Sequence, residues 1–144
     1  MTQHALYERL HAAYGAQCWW PADTPFEVMV GAILTQNTAW TNVERAIATL
    51  KREQALDAQI LAHTGPALLV EWIRPSGYCS IKARRLQNLC RWLLDAGEEE
   101  GLRTIDTPVL RAQLLTVNGV GAETADSILL YALRRPGFVI DAYT

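Results

Sequence analysis

Up to residue 137 the chain shows no useful run of alternating apolar and polar residues, the signature of a half-buried strand. Its apolar residues instead recur every three to four positions, in segments cut apart by glycine and proline. That pattern predicts an all-α fold of short helices whose brief connections make consecutive helices neighbours. A chain of 144 residues buries roughly 70% of its unfolded surface, enough for a core without staples. A net charge of −2 with 50% hydrophobic residues argues against disorder. No apolar run approaches the roughly 18 residues of a membrane span. Met1 to Leu10 lacks the basic-then-apolar pattern of a secretory signal, so the expectation is a soluble cytoplasmic protein.

Local signals place the elements. Leu6, Leu10 and Tyr14 form a stripe on a helix over 2–14 that Gly15 ends. Thr24-Pro25-Phe26-Glu27 reads as a capping box with proline at the first helical position. It opens a segment to Leu34 that is apolar all round and therefore central. A helix over 39–53 follows, with Trp40, Val43, Ile47 and Leu50 on one face, then short helices near 57–63 and 66–74. Ser80 is expected to cap a helix to Asp95 with Ile81, Leu86, Leu89, Leu93 and Leu94 in the core. Gly97 to Gly101 reads as an acidic turn, and helices are expected over 107–115 and 122–134, with 138–141 extended.

Charge is unevenly spread. Arg74, Lys82, Arg84, Arg85 and Arg91 lie in a stretch without acids, whereas residues 95–106 hold five acids and one base. A nucleic acid responds to the local field rather than to the net charge, though such a run is usually just a solvated helix face. Cys18, Cys79 and Cys90 are widely separated and form no C-x-x-C pair, so no iron–sulfur or zinc ligand set is present. They are expected to be small buried or half-buried thiols.

The sharpest local signal is Leu114-Leu115-Thr116-Val117-Asn118-Gly119-Val120-Gly121-Ala122-Glu123-Thr124-Ala125, a Gly-x-Gly turn between two helices. Its glycines permit positive φ and close approach of another backbone, and the free amides at the following helix start make a seat for one phosphate. A missing third glycine and the absence of a preceding strand argue against a dinucleotide fold. Taken alone, the turn reads equally as a plain αα-hairpin connection.

Together with Val139-Ile140-Asp141 about twenty residues on, this run resembles the helix-hairpin-helix and Gly/Pro-Asp pattern of the endonuclease III superfamily of DNA glycosylases. Phe26 to Thr38 is similar to that family's first barrel helix with its glutamine-bearing turn, and Arg74 to Ala83 to its DNA-wedge loop. Trp19-Trp20-Pro21, with Trp40 beyond, makes the chain most similar to the 3-methyladenine DNA glycosylase III branch. The resemblance implies a helix-hairpin-helix glycosylase fold. Residues 1–21 would belong to a discontinuous second domain, residues 22–134 to a six-helix barrel with the hairpin at about 108–134, and residues 135–144 to the loop of the catalytic aspartate. The second domain is expected to be incomplete because the chain ends early, which would weaken activity and leave the helix over 2–14 exposed.

Roles follow residue by residue from the same resemblance. Asp141 stands at the catalytic aspartate, Glu123 where lyases of the family carry their lysine, and Trp19, Trp20, Pro21 and Trp40 at the damaged-base pocket. Gln36 would fill the gap left by the flipped base, Tyr78 would wedge the opposite strand, and Asn37, Lys82, Gly119, Gly121 and Thr124 would contact DNA. The carbonyls of Leu115, Val117 and Val120 would hold a structural monovalent cation, with no other cofactor. The expected partner is double-stranded DNA containing a damaged base, bound by a monomer near the nucleoid. The implied activity is monofunctional removal of an alkylated purine. The alternatives are a non-catalytic helix-hairpin-helix DNA-binding remnant and an endonuclease III-like glycosylase and lyase acting on oxidised pyrimidines. On its residues alone, Asp141 reads as a helix N-cap beside the chain end rather than as a catalytic acid. Glu123 reads as an acid in a first helical turn, where the dipole favours it, and the tryptophans as ordinary core.

Overall fold

The structure, a computed structural model, describes residues 1–144, and its regular elements are all helices, with no strand. Nine α-helices follow in order: α1 (Gln3–Tyr14), α2 (Pro25–Leu34), α3 (Trp40–Arg52), α4 (Ala58–His63), α5 (Pro66–Ile73), α6 (Cys79–Asp95), α7 (Glu98–Leu102), α8 (Thr107–Leu115) and α9 (Ala122–Ser127). A 3₁₀ turn at Arg74–Ser76 joins α5 to α6, and a π-helical turn at Ile128–Ala132 extends α9. None of these helices is long and apolar enough to cross a membrane.

The central element is α2. All its residues from Glu27 to Leu34 are buried, and it packs against α3, α6, α9 and the π turn. Its start follows the expected logic with one shift. Thr24 Oγ1 accepts from the Glu27 amide at 3.1 Å, but the Glu27 carboxylate reaches back to the amide of Asp23, at 2.7 Å, rather than to that of Thr24. The buried Glu27 carboxylate is also paired with Lys51 at 2.7 Å, and Lys51 meets Asp23 at 2.8 Å. Hydrogen bonds from Asp23 and then Glu27 hold the Lys51 ammonium above its ordinary pKa.

On the other side, α6 packs on α4 and α5. Its start differs from expectation. Tyr78, in the left-handed region at φ 46°, precedes the helix, and Ser80 lies inside the first turn. Leu86, Leu89 and Leu93 are buried, Leu94 is half-buried, and Ile81 is exposed. The acidic stretch after it forms a short helix, α7, rather than a turn, with Glu98, Glu99 and Glu100 at the end where the backbone dipole favours negative charge. Of the thiols, Cys90 is buried and Cys79 half-buried, but Cys18 is exposed. Burial pushes the Cys90 thiol up to about 12, so it is unreactive.

The stripe on α1 forms but is not covered. No residue of α1 is buried, and Leu6, Leu10 and Tyr14 are exposed, as are Phe138, Ile140 and Tyr143 at the other end of the chain.

Candidate active site

A cleft of about 1240 Å³ opens where the α8–α9 hairpin, the α2–α3 turn, the loop before α2 and the last residues of the chain meet. Its floor is polar and its wall aromatic.

The hairpin makes one edge of the floor. Val120 donates its amide to the Val117 carbonyl at 3.0 Å, closing a tight turn. Gly119 sits at φ 103°, and a methyl group there would fall 2.2 Å from Cγ of Arg85. Glycine is thus required at 119 twice over, by conformation and by close approach. Gly121 differs: it is extended (φ −91°, ψ −175°), and a methyl group there would meet nothing within 4 Å. Open space, not backbone freedom, is what Gly121 supplies. The amides of Gly119 and Gly121 make no hydrogen bond within the protein. The Val117 carbonyl accepts the bond from Val120, while those of Leu115 and Val120 take none of the turn's backbone bonds. These neutral oxygens, with no carboxylate among them, fit a monovalent cation better than a divalent one.

Gln36, just past the end of α2, lies over this edge. Its Nε2 donates to the Gly119 carbonyl (2.9 Å) and to Thr124 Oγ1 (3.1 Å), and its Oε1 accepts from Arg85 (2.7 Å). Thr124 borders the cleft but is largely buried, with its hydroxyl taken by Gln36. Asn37 stands beside it on the lip, exposed and left-handed at φ 53°.

Lys82 also departs from the expected DNA contact. Its side chain is 1% exposed. The ammonium donates to the Leu34 carbonyl at 2.8 Å and to the Ser76 carbonyl at 2.6 Å, tying the end of α2 to the turn before α6. Burial, then the nearby Arg85 charge, lowers its pKa to about 8. A basic run therefore does not form one solvated face: Lys82 is internal and Arg85 is engaged with Gln36, whereas Arg84 and Arg74 are exposed. Tyr78 is 68% exposed on the turn that Lys82 braces.

The wall is built from Trp19, Trp20, Trp40 and Tyr131. Neighbours in sequence are poorly placed to face one way, yet Trp19 and Trp20 both line the cleft, with ring centroids 5.6 Å apart. The left-handed residue Cys18 (φ 43°) turns the backbone just before them. Trp20 meets Trp40 edge-on at 5.4 Å and Tyr131 at 5.2 Å, and Tyr131 in turn meets Trp19 edge-on at 5.2 Å. The indole N–H of Trp20 is buried without a partner. Pro21 lies outside the cleft lining. Tyr131 was not legible from sequence. The segment 122–134 reads as one regular helix, but the π turn, in which Leu133 donates its amide to the Ile128 carbonyl at 3.1 Å, rotates the last residues relative to α9. Such turns recur at functional sites.

Two carboxylates complete the cleft. Glu123 is exposed in the first turn of α9. Asp141 lines the cleft along with the tryptophans and the hairpin. Its Oδ1 accepts from the Tyr143 amide (2.8 Å) and Thr144 Oγ1 (3.0 Å), which leaves Oδ2 without a protein donor. A hairpin with free amides, an aromatic wall and a carboxylate thus share one cavity.

Comparison with known proteins places the fold. The model of the HhH-GPD superfamily base excision DNA repair protein matches residues 30–144. The chain belongs to the HhH-GPD superfamily. Among HhH-GPD relatives, a protein of Methanocaldococcus jannaschii provisionally named a DNA repair glycosylase is 52% identical over 98% of this chain and 66% of its own length. Endonuclease III of Thermotoga maritima is 32% identical over 83% of this chain and 53% of its own length. The crystal structure of H. pylori 3-methyladenine DNA glycosylase (MagIII) bound to 1,N6-ethenoadenine superposes with a TM-score of 0.81 at 32% identity. It covers 97% of this chain and 67% of that one. A trapped endonuclease III–DNA covalent intermediate shares the HhH-GPD fold, with a TM-score of 0.75 at 23% identity over 99% of this chain and 65% of that one. The chain thus spans between about half and two thirds of the length of these relatives.

Proposed function

We propose that this chain carries the catalytic cleft of a base-excision-repair DNA glycosylase that hydrolyses the N-glycosidic bond of a flipped-out alkylated purine such as 3-methyladenine, without a lyase step. The observation that carries the reading is the shared cavity: Asp141, the tryptophan wall and the unpaired hairpin amides all border it. A base must leave the stack for its glycosidic bond to be reached. The Gly119 and Gly121 amides would hold a phosphate of the strand, Gln36 would occupy the gap left in the duplex, Asn37 would contact DNA, and Tyr78 would press on the opposite strand. Leu115, Val117 and Val120 carbonyls would hold a monovalent cation that stiffens the hairpin and takes no part in the chemistry.

The chemistry requires little of the protein. Alkylation at N3 makes the adenine ring cationic, so it leaves without a strong general acid. Asp141 Oδ2 is free to orient water or to stabilise positive charge developing on the sugar. The electron-rich faces of Trp19, Trp20 and Trp40 favour a cationic ring over a neutral one. A carboxylate cannot form an imine with the sugar, so Glu123 supports hydrolysis alone. The 32% identical MagIII, whose crystal structure holds an ethenoadenine, supports the purine preference.

Release of 3-methyladenine from methylated duplex DNA tests this reading, run beside an oxidised-pyrimidine duplex. Asp141→Asn is expected to slow release about 10²- to 10⁴-fold, and borohydride is expected to trap no adduct on abasic DNA. Release unaffected by Asp141→Asn, or a trapped lysine adduct, overturns it.

A further inference from the structure

Three segments far apart in sequence meet at the side chain of Gln36. Both hydrogens of its amide are used, on the Gly119 carbonyl and on Thr124 Oγ1, and its oxygen accepts from the Arg85 guanidinium at 2.7 Å. The arrangement admits only one amide orientation, because a flipped amide would set a donor against the guanidinium and an oxygen against a carbonyl. Arg85 does more than donate. Its methylene stem fills the space that a side chain at 119 would need, with Cβ, Cγ and Cδ all within 2.8 Å of the methyl position. One turn further along α6, Asn88 donates to the Asn118 carbonyl at 3.2 Å. The helix that starts at the Tyr78 turn thus holds the hairpin at two points and Gln36 at a third.

We propose that Arg85 is a positioning residue that orients Gln36 for entry into the duplex and couples that entry to the hairpin's hold on the strand. The assignment rests on reading the cleft as a base-extrusion site. A glutamine that moves into the duplex gives up its bonds to Gly119 and Thr124. In this assignment the guanidinium stays on Oε1 as Gln36 moves, so the amide enters in one orientation rather than as a free rotor. Movement of Gln36 also frees the Gly119 carbonyl, so strand grip and gap filling are not independent events.

The test is a double-substitution cycle with Arg85→Met and Gln36→Ala, read as affinity for two duplexes of one sequence. One contains a tetrahydrofuran abasic analogue and the other is intact, and both are titrated over a salt series. Arg85→Met keeps the stem over Gly119 and removes only the donor. The expected result is that Arg85→Met weakens binding of the abasic duplex about tenfold with Gln36 present and less than about twofold with Gln36→Ala. Preference for the abasic duplex falls accordingly. Equal weakening on both duplexes, a salt slope shallower by about 1 and an undiminished loss with Gln36→Ala would make Arg85 a plain phosphate contact and overturn the assignment. Equal weakening accompanied by a fall in Tm would make its role structural and overturn it as well. A parent protein with no preference for the abasic duplex overturns the base-extrusion reading itself, and the Arg85 assignment with it. A parent that discriminates, with additive variants, overturns the Arg85 assignment alone.

Discussion

The floor and the wall of the cleft are held by opposite kinds of interaction. On the floor, Gln36, Arg85 and Thr124 are tied by directed hydrogen bonds between 2.7 and 3.1 Å, and behind it the buried Lys82 holds the Leu34 and Ser76 carbonyls in the same way. In the wall, Trp19, Trp20, Trp40 and Tyr131 meet one another ring to ring, the last three backed by the core, and the buried Trp20 N–H has no partner. Directed bonds fix positions, whereas ring contacts contribute area and tolerate sliding. The floor is therefore built to hold a geometry before any partner arrives, and the wall to adapt to what enters. Substitutions in the floor should act on folding and geometry together. Substitutions in the wall should act on selectivity more than on stability.

Gly119→Ala is expected to be the most damaging single change. It combines a strained positive φ, roughly 1–3 kcal/mol, with overpacking against Arg85, roughly another 1–3 kcal/mol. Urea unfolding should show a loss of about 4 kcal/mol. Combining it with Arg85→Ala should recover only part of the overpacking, because Cβ of residue 85 stays 2.6 Å from the new methyl, and should leave the conformational part. Gly121→Ala is the control: with an ordinary backbone and open surroundings, it should stay within about 0.5 kcal/mol of the parent. A similar loss at both glycines would mean that the hairpin is not held by α6 in the way described.

Lys82→Met comes next. It leaves the Leu34 and Ser76 carbonyls buried and unpaired, at roughly 1–3 kcal/mol each, so a loss of about 3 kcal/mol is expected by urea unfolding. The same residue gives the fold a pH signature. The folded protein releases the Lys82 proton near 8, whereas the unfolded chain keeps it to about 10.5. Between those values the unfolded state holds the extra proton, so raising the pH stabilises the fold through this group. The neutral amine still has two hydrogens, one for each carbonyl, so the brace survives the titration. Stability of the parent relative to Lys82→Met should rise from pH 8 to 10. A falling difference would mean that the ammonium is bound more tightly in the fold than burial allows.

Much of the frame was legible because helix boundaries are written in local chemistry. Thr24-Pro25, Gly65-Pro66 and Thr107-Pro108 mark true starts, and the all-round apolar run over 28–34 is the buried centre. The failures have a common cause. Ser80 looks like a cap by type, but a left-handed Tyr78 after Gly77 starts the helix earlier. Lys82 looks like a surface cation because lysine is almost never fully buried without partners. Its partners are two backbone carbonyls, 6 and 48 positions away in the chain, which no residue pattern records. Thr124 is hidden for the same reason, since Gln36 covers it from 88 positions away. The tryptophan cluster was visible as a composition feature, but Tyr131 was not, because the widening of the last helix changes which side chains face the cleft without changing the residues' spacing.

The smallest expected effects belong to that tyrosine, and they bear most directly on the difference between floor and wall. Its contacts to Trp19 and Trp20 are made by the ring, and an aromatic pair contributes about 0.5–1.5 kcal/mol beyond its area. Tyr131→Leu should therefore cost about 1–2 kcal/mol of stability, whereas Tyr131→Phe should change it by less than about 0.5 kcal/mol. A wall that adapts also predicts a change in what the cleft accepts. With the ring gone, Trp20 loses the face that holds it at 5.2 Å, and its indole is free to leave the position in which its N–H is unpaired. Tryptophan fluorescence of Tyr131→Leu should shift to the red as Trp20 meets water, and, on the glycosylase function proposed above, the relative release of different alkylated purines should change. If instead Tyr131→Phe proves as harmful as Tyr131→Leu, the hydroxyl rather than the ring carries the role. The wall would then be a directed structure like the floor.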